Sequence, residues 1–216
     1  MMIKKSENRR LLYSYYLLAG ISMIFILLHG KSESFLKLYS FHNDFLNSLM
    51  QVITYFGDGV VALIIAFVFI FYRLRISIFL LLSGIASGLI AQLMKRFIFS
   101  DELRPLGFFR NLGMDIYQIP GFDMHIHHSF PSGHTATAFA VFFGLALFAK
   151  KSWQKISLLS IAAIAGYSRI YLGQHFLTDV VAGSVIGVFT SITFFYFVNN
   201  WKSKWLNLSI QSLLFK

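Results

Sequence analysis

Long apolar runs separated by short polar intervals make up most of this chain. Runs of about 18 residues or more read as membrane-spanning helices. Six segments fit, roughly 11–29, 53–72, 76–94, 133–149, 156–174 and 180–199. The first follows Lys4, Lys5, Arg9 and Arg10, as a signal peptide would. Its apolar run is longer than a signal core and no small-x-small cleavage site follows, so it is expected to stay as an anchor. Residues 30–52 form a mixed interval in which Phe45, Leu46, Leu49 and Met50 suit an interfacial amphipathic turn or two. Residues 96–131 make a longer interval with no periodic pattern. A loop of that length is usually functional or disordered, and the polar motifs at its ends favour function. The expectation is an all-α membrane protein, a bundle of six transmembrane helices forming one domain over residues 1–216.

Composition agrees with that reading: 56% of residues are hydrophobic and 13% charged, with a mean hydropathy of +0.65. The formal charge of +10 would suit nucleic acid if it formed one patch. Instead the basic residues fall in short clusters between apolar runs, so no nucleic-acid partner is expected. With six spans both chain ends share a side, and that side carries Arg9, Arg10, Arg73, Arg75, Lys150, Lys151, Lys155, Lys202 and Lys204, together with Lys4, Lys5 and Lys216. Of the acidic residues only Glu7 joins them; the other eight and all seven histidines fall on the opposite side. The positive-inside rule then places both termini in the cytoplasm and the acid- and histidine-bearing side outside. There is no cysteine, which excludes disulfides, thiolate metal sites and a cysteine nucleophile.

Three polar segments at the outer ends of spans carry candidate chemistry. Pro131-Ser132-Gly133-His134 precedes an apolar helix. Backbone N–H groups at a helix start attract anions, Gly133 allows close approach, Ser132 adds a hydroxyl, and His134 can protonate a leaving oxygen. A plain helix cap accounts for the same residues equally well. Ser168-Arg169 closes the fifth span, and His175 and Asp179 open the sixth. Four residues apart, His175 and Asp179 share a helix face if that helix has begun, and a carboxylate beside an imidazole fixes its tautomer and leaves one nitrogen to act as nucleophile. Lys95 and Arg104-Pro105 bring cations suited to phosphate oxygens to the end of the third span, though basic residues flanking a span are routine. Ionisable groups at membrane depth are costly, so function is their default reading. The cluster His125, His127, His128 and His134 lacks a carboxylate or histidine at familiar metal spacing, so no metal and no other cofactor is expected. Asp58, in Phe56-Gly57-Asp58-Gly59, reads as a turn.

Together the segments resemble the signature of the type 2 phosphatidic acid phosphatase family: a lysine-to-Arg-Pro motif, then PSGH, then SR-x5-H-x3-D. Residues 131–134 and 168–179 match without substitution. The first motif is longer here, with Lys95 taken for its opening position and Arg96 as the alternative. The resemblance covers about residues 53–199, leaving 1–52 as an additional N-terminal span with an outer loop and 200–216 as a cytoplasmic tail. It implies a metal-independent lipid phosphatase in which His175 attacks phosphorus, Asp179 orients it and His134 is the acid. Lys95, Arg104, Ser132, Gly133 and Arg169 would hold the phosphoryl oxygens. One histidine neutral and the other protonated implies a bell-shaped pH–rate profile. The expected setting is a bacterial inner membrane, with a membrane lipid as substrate, the bilayer as partner and the site facing outward. Undecaprenyl pyrophosphate leads as substrate; phosphatidate, phosphatidylglycerol phosphate and lipid A phosphates are alternatives, and oligomeric state is not legible. A transporter or a catalytically silent lipid-binding protein are the competing classes. A transporter would place its ionisable groups near span midpoints, and here they gather at the ends.

Overall fold

The computed structural model describes residues 5–214, and helices are the only regular elements among the described residues. Lys4 and Lys216, part of the charge asymmetry, lie outside the described residues, as do the side chains of Lys5 and Glu7. In chain order the helices are α1 (Lys5–Leu38), α2 (Asp44–Ile53), α3 (Gly59–Ile70), α4 (Leu74–Leu93), α5 (Pro105–Asn111), α6 (Gly133–Ala138), α7 (Gly144–Phe148), α8 (Ser152–Tyr171), α9 (Leu177–Asn200) and α10 (Ile210–Leu214). A π turn at Phe139–Phe143 fuses α6 and α7 into one apolar rod, and a second at Met94–Ile98 extends α4.

Among the described residues three helical stretches are long and apolar enough to cross a membrane: Asn8–Leu38, Leu74–Ile98 and Leu177–Asn200. A fourth crossing is possible if the pair Asp44–Gly57 and Gly59–Ile70, bent by 59°, counts as one span. The expected run 53–72 is therefore broken. Asp58 caps α3, accepting the Val60 N–H at 2.7 Å, and the chain before it turns into a 3-10 segment, Thr54–Gly57. The rod Gly133–Phe148 is a shorter apolar helix. α8 carries Gln154, Lys155, Ser157, Ser160 and Arg169 among its apolar residues, and it packs against α1, α6 and the 54–57 turn. The helix of the first apolar run breaks at Gly30, next to its expected end at 29, where a φ of +73° leaves helical geometry and a side chain would resist it; a second helical segment then continues to Leu38. The amphipathic interval beyond it is a real helix, α2, with Leu46 and Met50 packed on Tyr171 and Leu172.

What brings the motifs together is a stripe of small residues on α9. A side-chain carbon on Gly183 would sit 2.4 Å from the Ser132 carbonyl, and one on Gly187 would sit 2.4 Å from the Ala136 carbonyl. One turn further, Ser191 donates to the carbonyl of Ala140 at 3.1 Å. Small residues four apart let two backbones close to contact distance, which is how helices associate where lipid removes the hydrophobic drive. Here the stripe seats the PSGH run beside the start of α9. A second cluster, Phe35, Tyr39, Phe109, Ile170, Phe176, Leu177 and Val180, packs behind His175 and joins α1 and α5 to that wall.

The opposite end of the bundle is held by cations. Arg75, buried, donates to the carbonyls of Val198 and, at 3.1 Å, Trp201, and also to the side chain of Asn207 at 3.1 Å. Lys155, fully buried, donates to the Ala146 carbonyl and the Asn8 side chain, each at 2.7 Å. These contacts satisfy carbonyls that helices leave open at their C-termini.

Candidate active site

His175 lies in the turn between α8 and α9, after Gly173 at φ +65° and before α9 begins at Leu177. The histidine and Asp179 therefore do not share a helix face, as their spacing alone suggested. Asp179 sits in the first turn of α9 and reaches back. Its Oδ2 accepts the Phe176 N–H at 3.0 Å and lies 3.3 Å from His175 Nδ1. The carboxylate is a helix cap and an imidazole partner at once. Ser129 adds a third contact, its hydroxyl donating to the same Oδ2 at 2.6 Å, and Thr178 donates to Oδ1 at 3.2 Å. Both His175 and Asp179 are almost wholly buried. With Nδ1 turned to the carboxylate, Nε2 is the nitrogen left for chemistry.

Burial first, then the charges of Arg104, Lys95 and Arg169 and the ring of His134, hold the His175 imidazole well below its ordinary value of 6.5. The ring is therefore neutral at pH 7. Cations from the first and third motifs, and the His134 ring from the second, thus surround one imidazole.

Each cation arrives by its own route. The π turn at the end of α4 directs Lys95 inward, 6% exposed, while Arg96 faces outward; the choice between them is structural. Lys95 has no hydrogen-bond or ion-pair partner among the described residues. Arg104 is braced by the His127 carbonyl, which accepts from Nε at 2.9 Å, and by the Gln174 side-chain oxygen, which accepts from NH1 at 2.5 Å. Burial brings its guanidinium down to about 10, opposed by Asp179, so it stays charged at neutral pH. Arg169, in the last turn of α8, donates to Thr54 Oγ1 at 2.7 Å. Its Nε is buried without a partner among the described residues.

The 96–131 interval is organised by this task. The backbone N–H of Arg104 donates to Ile126 at 2.8 Å and that of Ser129 to Glu102 at 2.9 Å, so the interval folds back on itself. Gln174 ties it down, donating to the Asp123 carbonyl at 3.0 Å.

Ser132 is both a cap and a wall of the site. It accepts from the Thr135 hydroxyl at 2.8 Å and, longer, from the Thr135 N–H at 3.4 Å, while its own N–H donates to the Asp179 carbonyl at 3.0 Å. The hydroxyl hydrogen is thus still available. Gly133 and His134 are only partly covered. His134 Nε2 lies 4.0 Å from Asp58 Oδ2. No three His, Cys, Asp or Glu side chains converge to hold a metal among the described residues.

Every sequence-selected residue therefore converges on one place. Ser129, Gln174, Thr54 and Asp58 join them and were not selected. Ser129 lies two residues before the PSGH run and Gln174 within the 168–179 segment, which was the one signal available; Thr54 had none.

The arrangement is a buried neutral imidazole under three cations, with a second imidazole at its edge. Solved structures share the fold. An LpxE from Aquifex aeolicus superposes with a TM-score of 0.63 at 24% identity, covering 77% of this chain and 94% of that one. A transmembrane PAP2-type phosphatidylglycerolphosphate phosphatase from Bacillus subtilis gives 0.65 at 23%, covering 89% and 98%. Among curated relatives, a lipid A 1-phosphatase from Rhizobium johnstonii is 33% identical over 118 residues, 54% of this chain. This chain's match spans only 46% of that relative's length. The undecaprenyl-diphosphatase BcrC of Bacillus subtilis is 27% identical over 181 residues, 81% of this chain and 82% of the relative. The PAP2 superfamily profile matches residues 76–203, a stretch that holds all three motifs and more than half of the sequence, and the chain belongs to that superfamily.

Proposed function

We propose that this protein is an integral membrane phosphatase that releases phosphate from a lipid phosphate or pyrophosphate through a phosphohistidine. The observation that carries the reading is His175: neutral, buried, oriented by Asp179 and surrounded by Lys95, Arg104 and Arg169. Nε2 of His175 attacks phosphorus as the bond from phosphorus to the leaving oxygen breaks. His134 gives that oxygen its proton. Water then attacks the phosphohistidine, His134 takes the water's proton, and His175 departs as the leaving nitrogen. Lys95, Arg104, Arg169, the Ser132 hydroxyl and the Gly133 N–H hold the three phosphoryl oxygens. Donors set in place before charge develops often supply most of the acceleration in such reactions, and Arg169 Nε and Lys95 are donors that a phosphoryl group would satisfy. No step calls for a metal.

The membrane setting follows from the apolar helices. We count six spans, with α8 and the 133–148 rod crossing inside the bundle, all of residues 1–216 forming one domain, and residues 200–216 a cytoplasmic tail. Both termini face the cytoplasm of a bacterial cell, and the site faces the periplasm or exterior at the level of the lipid headgroups. Undecaprenyl pyrophosphate leads as substrate. The supporting observation is the BcrC relative, similar along most of both chains, where the lipid A phosphatase relative matches under half of its own length. Phosphatidate, phosphatidylglycerol phosphate and lipid A phosphates are the alternatives. The test is phosphate release in detergent with EDTA, run on all four lipids with His175→Ala as control. Release that disappears in the variant, with phosphate trapped on the wild-type protein after acid-free quenching, is the expected result. Equal release from wild type and variant would overturn it.

A further inference from the structure

The Gly57-Asp58 turn is fitted against His134 more closely than a span-end turn requires. A side-chain carbon on Gly57 would meet the His134 carbonyl oxygen at 2.5 Å and His134 Cβ at 3.0 Å, so only glycine lets the turn seat there. Phe56 anchors the same turn, its ring edge-on to Phe142 at 5.8 Å. The two oxygens of Asp58 have separate tasks. Oδ1 accepts the Val60 N–H at 2.7 Å, which fixes the carboxylate's rotation, and Oδ2 faces His134 Nε2 at 4.0 Å. The other charged or titratable groups around His134 are Arg169 from α8, Lys95 from the π turn after α4, Arg104 before α5, and His175 before α9. Asp58 is the negative charge facing this ring among three positive ones.

We infer that Asp58 is a positioning residue for His134, forming with it a second carboxylate–imidazole pair that answers the His175–Asp179 pair across the site. The inference rests on the phosphatase reading for its chemistry and on the turn's geometry for its existence. His134 must carry a proton to give one to the leaving oxygen, and three cations share the site with it. Asp58 is the carboxylate among them and holds Nε2 toward itself, leaving Nδ1 for the proton transfer. Both side chains are about one-third exposed, so the pair is water-screened when the site is open, and catalytic contacts of this kind tighten when substrate closes it.

The test uses Asp58→Asn, which keeps a capping side chain for α3 while removing the charge. Histidine Cε1 resonances of the labelled full-length protein in detergent are titrated by NMR, with His134 assigned from His134→Gln. The expected result is a His134 midpoint lower by about half a unit in Asp58→Asn. Then kcat/KM is compared for a lipid phosphate and for p-nitrophenyl phosphate, whose leaving group departs without a proton. The lipid value should fall about 10–100-fold, part of what a positioned acid supplies, the aryl value much less, and Asp58→Glu should recover part of the loss. An unmoved midpoint, or equal losses on both substrates, would overturn the inference and assign Asp58 to capping α3 alone. The midpoint is read without turnover. Wild-type protein inactive on every lipid would therefore count against the phosphatase reading, while the titration still decided the Asp58–His134 pair.

Discussion

Arginine and lysine are held in opposite ways at the two ends of the helix bundle. At one end Arg75 and Lys155 are buried and saturated, donating to the carbonyls of Val198, Trp201 and Ala146 that end their helices. At the other, Lys95 is buried with no partner among the described residues, and Arg169 keeps an unpartnered Nε. The first arrangement relieves open carbonyls and stabilises the fold. The second gathers like charges and leaves their donors under-used, which costs stability and is tolerable where an anionic substrate supplies the missing partner. Cations of the same type thus mark structure at one end and, in the proposed function, chemistry at the other, and hydrogen-bond saturation tells them apart.

The strongest test of that contrast is the group the cations surround. His175→Ala should lower phosphate release by on the order of 10⁴-fold or more, as loss of a nucleophile does, with little change in thermal midpoint. Next come the cations themselves. Lys95→Met, nearly the same shape without charge, should reduce kcat by about 10²–10³-fold, yet leave the thermal midpoint equal or higher because an unpaired buried charge is gone. Arg75→Leu should do the reverse. Stranding two carbonyls costs about 1–3 kcal/mol each, so the melting temperature falls while kcat of the folded fraction is kept. If Lys95→Met destabilised the protein and Arg75→Leu abolished activity, the division between the ends would be wrong.

A smaller effect sharpens the site end through pH. The folded protein keeps His175 neutral below the ordinary value of 6.5, whereas the unfolded chain takes up a proton there. The stability contributed by this group is therefore full above 6.5 and is lost progressively as pH falls below it. The acid limb of kcat/KM should likewise lie below 6.5, because activity needs the neutral ring. A limb at or above 6.5 would mean that His175 is less buried or less surrounded by cations than the geometry indicates.

Much of this site was legible in one dimension because its contacts are local. The four-residue interval from His175 to Asp179 had to produce a carboxylate–imidazole pair in almost any helical start, although the pair forms across the helix N-terminus and not on one face. PSGH had to begin a helix, since Ser132 is a good cap and the apolar run follows at once. The span boundaries fared less well. The first run does end beside Gly30, where the backbone leaves helical geometry, but the further helical segment that continues to Leu38 was not expected. The 53–72 run breaks at Asp58 because a carboxylate that caps one helix cannot lie inside it. Ser129, Gln174 and Thr54 were passed over since each acts through a partner 50, 70 or 115 residues away.

By itself the sequence determined the helical class, the residue types of the site and their order along the chain, because helix periodicity, capping and charge placement are properties of neighbours. Only the tertiary structure decided that Lys95 and not Arg96 faces inward, that Ser129 completes the cage on Asp179, and that Asp58 turns toward His134. Those choices depend on the close approach of separate helices. The approach is permitted by Gly183, Gly187 and Gly57, whose missing side chains matter only once another backbone lies against them.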